Sequence, residues 1–369
     1  MTDARPIVVQ TSAIPSPLLK EAHERGAIQL KLWERDESTP DDVQSANREW
    51  ILNNVAGASA LVVLLSNKVD AEVLDKAGSS LKVVSTMSVG YDHVDVNACK
   101  ERGIRIGYTP DVLSGAVADT TLLLMLMITR HALVANRIVT SGAWRFTPMT
   151  PTTLTGPSLE GKTIGFLGFG SIAQFVVRRL LSFSPAKVLY TTSKPKPFAF
   201  DNEAFATLAQ DPFLQASQAA HGRLPIEIAN EPALEKMAAE VDVLVVLANY
   251  SQSTHHIVNA SLLSKMKKSA YLVNIARGPL VDTAALVDAL KRDEIAGAAL
   301  DVIEGEPNVS RDSPILEPEL ADKVVLLPHI GSATIETRET MAQFAAQNAL
   351  GALGVRDDKP DAMPAELKL

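Results

Sequence analysis

The chain has 369 residues, 46% of them hydrophobic and 21% charged, with a formal net charge of −8. That length accommodates two domains with cores of their own, and the acidic balance argues against nucleic acid as the main partner. Cys99 is the single cysteine, which excludes an intrachain disulfide and fits a reducing, cytoplasmic setting.

Met1-Thr2-Asp3-Ala4-Arg5-Pro6 leads directly into Ile7-Val8-Val9, without the charged-then-apolar order of a signal peptide. Short apolar runs then alternate with segments of helical period, the pattern of an α/β protein. Strands are expected at Ile7–Val9, Ala60–Leu65, Lys82–Thr86, Arg105–Gly107 and Thr163–Leu167. Further strands are expected at Lys187–Tyr190, Val243–Leu247, Ala270–Asn274, Ala296–Leu300 and Val324–Leu327. Helices are expected over Pro17–Glu24, Asp42–Asn54, Asp70–Lys76, Val117–Arg130, Ile172–Leu181, Leu262–Met266 and Thr283–Arg292. Val243-Leu244-Val245-Val246-Leu247 reads as a strand covered on both faces, because such strands are continuously apolar. The most apolar stretch, Thr120 to Thr129, is too short to span a bilayer and reads as a buried helix. The terminal Leu367-Lys368-Leu369 lacks the small residue of a Ser-Lys-Leu peroxisomal address. Prolines at Pro110 and Pro328 mark two boundaries, and the strongest motifs lie between them. A nucleotide-binding domain, 110–329, is therefore expected within a first domain made of 1–109 and 330–369.

Gly168-Phe169-Gly170-Ser171-Ile172-Ala173 follows a strand and opens a helix. The first glycine permits a tight turn, the second lets backbone approach a pyrophosphate, and the small third residue lets helix pack on strand. The helix start then offers free N–H groups to the anion. About 20 residues further on, a carboxylate commonly holds the ribose 2′-OH of NAD. Here the run is Thr191-Thr192-Ser193-Lys194-Pro195-Lys196-Pro197. Ser193, Lys194 and Lys196 suit a 2′-phosphate, so NADP(H) is favoured, with NAD(H) as the other choice.

Three polar residues stand just after strands, where ligands bind in open α/β sheets. Arg277, in Asn274-Ile275-Ala276-Arg277-Gly278-Pro279, can clamp a carboxylate with paired hydrogen bonds. His329, in Pro328-His329-Ile330-Gly331-Ser332, can deliver a proton near neutrality. Glu306, in Asp301-Val302-Ile303-Glu304-Gly305-Glu306-Pro307, can orient that imidazole and favour its charged form. His255-His256 is read as a loop pair and not as a metal site, since no carboxylate or cysteine accompanies it at ligand spacing. Cys99 is read as a small buried side chain.

Together with Ser88-Val89-Gly90-Tyr91-Asp92-His93-Val94-Asp95, these motifs resemble those of the D-isomer-specific 2-hydroxyacid dehydrogenases. The likeness is greatest to the glyoxylate/hydroxypyruvate reductases, through Tyr108-Thr109-Pro110-Asp111-Val112-Leu113 and His329-Ile330-Gly331-Ser332-Ala333-Thr334. The resemblance implies two Rossmann-like, doubly wound parallel-sheet domains with a hinge, and a homodimer. It implies reduction of a small 2-keto acid, glyoxylate or hydroxypyruvate, with Arg277, Glu306 and His329 as the catalytic trio. Val89 and Gly90 would offer N–H groups to the substrate carboxylate, with Ser332 nearby. Gly168, Gly170, Ser171 and Ile172 would meet the pyrophosphate, and Thr192 to Lys196 the adenosine side. Ala248, Asn249, Ile275, Ala276, Asp301 and Gly331 would line the nicotinamide half.

Three departures stand out. Ala173 replaces the third glycine. Animal-type relatives carry two tryptophans three residues apart after the long helix, the second serving the partner subunit's active site; Trp144 matches the first, but Thr147 stands at the second. The segment from Phe198 to Pro232 is longer than expected and reads as a surface excursion. Alternatives are a dehydrogenase for phosphoglycerate or a bulkier acid, and a dinucleotide-sensing corepressor.

Overall fold

The computed structural model describes residues 5–12, 17–35, 39, 45–356 and 362–369. The chain divides into two units, Met1–Leu113 with Ala333–Leu369, and Ser114–Ser332. The junctions fall a few residues after the expected ones, because Pro110–Leu113 stays with the first unit and a helix begins at Ser114.

In the first unit, strands β1 (Ile7–Gln10), β2 (Gln29–Leu32), β3 (Ala60–Val63), β4 (Val83–Thr86) and β5 (Arg105–Gly107) form one sheet in the order β2-β1-β3-β4-β5. All neighbours pair parallel. Parallel pairing requires a crossover, supplied here by α1 (Pro17–Glu24), α2 (Arg48–Asn54), α3 (Ala71–Ala77) and α4 (Val96–Glu101). The helix starts are set by side chains: Asn47, Asp70 and Asp95 accept from Trp50, Val73 and Ala98 amides. The helix expected over Asp42–Asn54 begins only at Arg48, because Ser45 bridges to Ser12 and Asn47 is the extended cap; the expected start at Asp42 itself lies outside the described residues. Strands β3 and β4 are buried at every position, as a sheet covered on both faces demands.

The second unit begins with α5 (Ser114–Thr129) and α6 (Ala132–Thr140). Its parallel sheet has seven strands: β6 (Thr163–Leu167), β7 (Lys187–Thr191), β8 (Glu227–Asn230), β9 (Val243–Val246), β10 (Tyr271–Asn274), β11 (Gly297–Leu300) and β12 (Val324–Leu326). Their order is β12-β11-β10-β9-β6-β7-β8. The order reverses between β6 and β9, so their carboxyl ends form the switch point at which such sheets hold ligands. The helices are α7 (Ser171–Leu180), α8 (Ala206–Ala209), α9 (Pro212–His221), α10 (Leu234–Glu240), α11 (Ala260–Leu263) and α12 (Thr283–Lys291).

The chain then returns to the first unit as α13 (Ile335–Ala352), capped by Thr334. Its Ala345 carbonyl accepts from Ser85 Oγ at 2.9 Å, and Asn348 Nδ2 donates to the Tyr108 carbonyl at 3.0 Å. Cys99 is fully buried, and burial with Asp95 nearby pushes its thiol to about 11, which leaves it unreactive. Among the described residues, no single helix is long and apolar enough to cross a membrane.

At the amino end of the larger sheet, Asp242 accepts from the Thr163 amide and from Lys267 Nζ, each at 2.9 Å. Burial works against its charge, but those two partners outweigh it and hold the carboxyl below the ordinary aspartate range. A depressed folded pKa contributes stability above the unfolded pKa, and that contribution is lost as pH falls through the folded value. Asp242→Asn should therefore cost about 1–3 kcal/mol at neutral pH, read by urea denaturation. The gap to wild type should close as the pH is lowered through the carboxylate range; a constant gap would assign the loss to packing instead.

Candidate active site

The glycine turn follows β6 directly. Gly168 has φ +93°, and a Cβ there would lie 2.7 Å from the Ala248 amide nitrogen and 2.8 Å from the Leu247 carbonyl. Only glycine fits both the conformation and the space. Gly170 faces open space, with nothing within 4 Å of its Cβ position. It also stands at the N-cap of α7 without a side-chain cap bond, so the first amides of the helix remain available to an anion. Ser171 opens that helix, with its hydroxyl 3.2 Å from Ser114 Oγ, and Ile172 follows it. This cradle fits the pyrophosphate of a dinucleotide.

Beyond β7, Thr192 is half-buried, and Ser193, Lys194 and Lys196 are exposed. Thr192 Oγ1 donates to the Lys194 carbonyl at 2.7 Å, which bends the loop back on itself. Ala248 and Asn249 follow β9, the latter exposed. Ile275, Ala276 and Arg277 follow β10. The Asn274 side chain spans this corner: its Oδ1 accepts from the Ala276 amide at 3.1 Å and its Nδ2 donates to the Arg277 carbonyl at 2.9 Å. Arg277 Nη1 donates to the Ala276 carbonyl at 2.8 Å. A Cβ on Gly278 would meet the Ile303 carbonyl carbon at 2.3 Å, so glycine beside Arg277 lets the two loops touch.

Glu306 and His329 do meet. His329 Nδ1 donates to Glu306 Oε1 at 2.6 Å, and Glu306 Oε2 accepts from the Ile303 amide at 3.0 Å. Both side chains are one quarter exposed. His329 has φ +54°, a left-handed conformation that costs a non-glycine residue about 1–2 kcal/mol. Asp301, 1% exposed, holds that turn in place. Its carbonyl accepts from the His329 amide at 2.7 Å, and its carboxylate accepts from the Ile330 and Gly331 amides, each at 2.8 Å. Thr120 Oγ1 donates to the Gly331 carbonyl at 3.2 Å. Ser332 is half-buried at the end of this unit.

Val89 and Gly90 belong to the other unit, after β4. Their turn is shaped by Ser88, whose hydroxyl donates to the Gly90 carbonyl and lies 2.7 Å from Thr86 Oγ1.

The histidine pair departs from expectation. The rings of His255 and His256 stack at 3.9 Å with planes 21° apart, and a carboxylate does reach them: His256 Nε2 donates to Glu304 Oε1 at 2.8 Å. Glu304 lies 48 residues away in sequence, which spacing alone cannot reveal. Burial opposes its charge, yet the His256 imidazole and Thr283 hold its carboxyl below the ordinary glutamate range. Nitrogen and oxygen atoms of the three residues lie within 4.8 Å of one another. Nearly parallel rings cannot both point a lone pair at one ion about 2.1 Å away, so the geometry is that of a histidine–carboxylate hydrogen bond.

Asp301 and Asn274 are the residues whose weight sequence reasoning misses. The sequence points to Asp301 only as cofactor lining, and to Asn274 only as part of a motif. The available signal is a polar side chain closing a fully buried apolar strand, which needs hydrogen-bond partners nearby.

The profile described as "D-isomer specific 2-hydroxyacid dehydrogenase, NAD binding domain" matches residues 122–230 and 218–331. The chain is 40% identical to the glyoxylate reductase of Thermofilum pendens, over 95% of this chain and 92% of that one. It is 37% identical to human glyoxylate reductase/hydroxypyruvate reductase, over 92% and 91% of the two chains. Among solved structures it is similar to an NADPH-dependent glyoxylate/hydroxypyruvate reductase from Sinorhizobium meliloti in complex with NADP and malonate. That likeness has a TM-score of 0.73 and 31% identity, and covers 97% of each chain. The fold and site define a dinucleotide-binding oxidoreductase of two Rossmann-like units. The chain belongs to the D-isomer-specific 2-hydroxyacid dehydrogenase family.

Asp301→Asn should lose an acceptor for one of the two loop amides, since an amide presents a single oxygen. The expected cost is about 1–3 kcal/mol, read by chemical denaturation, with faster hydrogen exchange at Ile330 and Gly331. Unchanged exchange at both amides would show that Asp301 does not hold the loop.

Proposed function

We propose that this enzyme reduces a small 2-keto acid, glyoxylate or hydroxypyruvate, to the D-2-hydroxy acid with NADPH. The observation that carries the reading is the His329–Glu306 hydrogen bond of 2.6 Å on a turn braced by a buried carboxylate. A reduced nicotinamide dinucleotide held with its pyrophosphate in the glycine cradle would supply a hydride to C2 of the keto acid. The remaining work falls to the chain. Glu306 occupies Nδ1 of His329, which orients the ring and leaves Nε2 as the nitrogen that gives a proton to the substrate oxygen. Arg277 pairs with the substrate carboxylate and polarises its keto oxygen. Val89 and Gly90 amides and the Ser332 hydroxyl complete the carboxylate's contacts in this proposal.

Gly168, Gly170, Ser171 and Ile172 hold the pyrophosphate. Ala248, Asn249, Ile275, Ala276, Asp301 and Gly331 line the nicotinamide half. Thr192, Ser193, Lys194 and Lys196 receive the adenosine 2′-phosphate. The preference for NADPH rests on the absence of any carboxylate from Thr191 to Pro197, where an acid would repel that phosphate. The Sinorhizobium neighbour, solved with NADP and a small dicarboxylate, supports both choices. The unit Ser114–Ser332 is accordingly the NADP(H)-binding domain, and the other unit the substrate domain. Trp144, Phe146 and Met149 are 54%, 74% and 85% exposed. Such a run of bare apolar surface supports a homodimer. A cytoplasmic location accords with the lone, buried thiol.

The test is a panel of 2-keto acids with both reduced cofactors, followed by nicotinamide absorbance. Glyoxylate and hydroxypyruvate should turn over faster than bulkier acids, and NADPH should be preferred to NADH. Turnover confined to bulky acids would contradict the substrate, and equal rates with NADH would contradict the cofactor. His329→Ala should lower kcat about 10²- to 10⁴-fold, with dinucleotide affinity within a few-fold of wild type. Near-normal turnover in that variant would remove His329 as the proton donor.

A further inference from the structure

We infer that Tyr190 and Asn230 are positioning residues for cofactor selectivity, clamping the backbone of Lys196 so that the basic 192–197 loop is ordered before a 2′-phosphate arrives. The inference rests on the NADPH preference proposed above and assigns a role to the long 198–232 segment.

Tyr190 ends the apolar run of β7 and is completely buried. A buried phenol needs a partner, and its hydroxyl donates to the Lys196 carbonyl. Burial pushes that phenol to about 12, so it remains a donor throughout the working range. The other side of the same residue is held by Asn230. The Lys196 amide donates to Asn230 Oδ1 at 3.2 Å, and Asn230 Nδ2 donates to the Tyr190 carbonyl at 3.0 Å. Tyr190 and Asn230 are also register partners of β7 and β8. Both backbone polar groups of an exposed loop lysine are thus engaged. Pro195 and Pro197 flank it, and each restricts the chain further.

Asn230 is there because the 198–232 segment leaves the loop and returns as an added edge strand. It is more than a surface excursion. Phe205, Leu208 and Leu214 are completely buried. Phe169, from the glycine turn, stacks on Tyr190 at 4.1 Å, and Phe205 lies 6.0 Å from Tyr190. From α7, Gln174 donates to the Ala204 carbonyl at 2.9 Å and accepts from the Leu208 amide at 3.3 Å. Arg178 pairs with Asp211 at 3.0 Å. The helix that faces the pyrophosphate and the loop that faces the 2′-phosphate are therefore tied to one frame. A lysine on a mobile loop must be ordered as the ligand binds, and that entropy is subtracted from affinity. Holding the backbone in advance removes the loss, and only for a ligand that carries the extra phosphate.

The experiment is calorimetric titration of the full chain with NADP+ and NAD+, which differ only by that phosphate, in the absence of substrate. Wild type should bind NADP+ at least tenfold more tightly. In Tyr190→Phe, which keeps the ring and removes the hydroxyl, and in Asn230→Ala, NAD+ affinity should stay within about twofold. NADP+ affinity should fall about three- to tenfold, the effect of one lost hydrogen bond. Exchange of the Lys196 amide should also quicken in Asn230→Ala. A merely structural role would weaken both ligands equally, or neither, and an unchanged ratio would overturn the clamp. If wild type shows no preference, the NADPH reading itself fails and the clamp has nothing to position. Should Tyr190→Phe fail to fold, the ratio in Asn230→Ala decides, because it releases the backbone of the same lysine from its other side.

Discussion

Two backbone amides converge on the buried carboxylate of Asp301, and the geometry of the His329–Glu306 hydrogen bond depends on that junction. His329 adopts a left-handed backbone, at a cost of about 1–2 kcal/mol. Each hydrogen bond to a charged acceptor returns about 1.5–3 kcal/mol, so the two from Ile330 and Gly331 more than offset the strain. The turn then aims the imidazole at Glu306. Strain concentrated at a functional residue and held by its surroundings is a recurring feature of active sites. Here the brace is a carboxylate at the end of β11, while the strained residue follows β12.

The same logic extends along the carboxyl edge of the larger sheet. Apolar, buried strands give way at their ends to residues that shape the loops: Gly168 after β6, Asn274 at the end of β10, Asp301 after β11. The apolar runs supply the rigid frame, and the strand ends supply donors and acceptors at fixed separations. Gly278 and Gly168 are glycines because neighbouring loops approach closer than a Cβ allows. At the other flank, β7 is followed by a loop of hydroxyls and lysines, Thr192 to Lys196.

Much of this is legible in the sequence, and the exceptions have physical reasons. Among the fully buried strands, β3 (Ala-Leu-Val-Val) and β9 (Val-Leu-Val-Val) announce themselves as continuous apolar runs, whereas β4 ends in Ser-Thr and β10 in Asn. The two strands that escape notice, β2 and β8, are sheet edges with sequences Gln-Leu-Lys-Leu and Glu-Ile-Ala-Asn, and edges carry polar residues. The long α13 escapes because its buried face is mostly small, Ala342, Ala345, Ala346, Ala349 and Gly351 with Asn348, and carries only Met341 and Leu350 as large apolar residues, which gives little hydrophobic periodicity. The placement of Arg277, Glu306 and His329 just after strands is visible in the sequence, and the structure joins Glu306 to His329. Pairing across long separations is what the sequence hides: the Glu304–His256 bond, the Asp301 brace, and the Tyr190–Asn230 hold on Lys196.

Direct transfer from cofactor to substrate carbon is the claim on which the functional account stands. It is tested by incubating the protein with hydroxypyruvate and NADPH carrying deuterium at the transferable position of the nicotinamide ring, then analysing the product by mass spectrometry and chiral chromatography. The account predicts D-glycerate with one deuterium at C2. An L product, or glycerate without deuterium at C2 from either face-labelled cofactor, would contradict it.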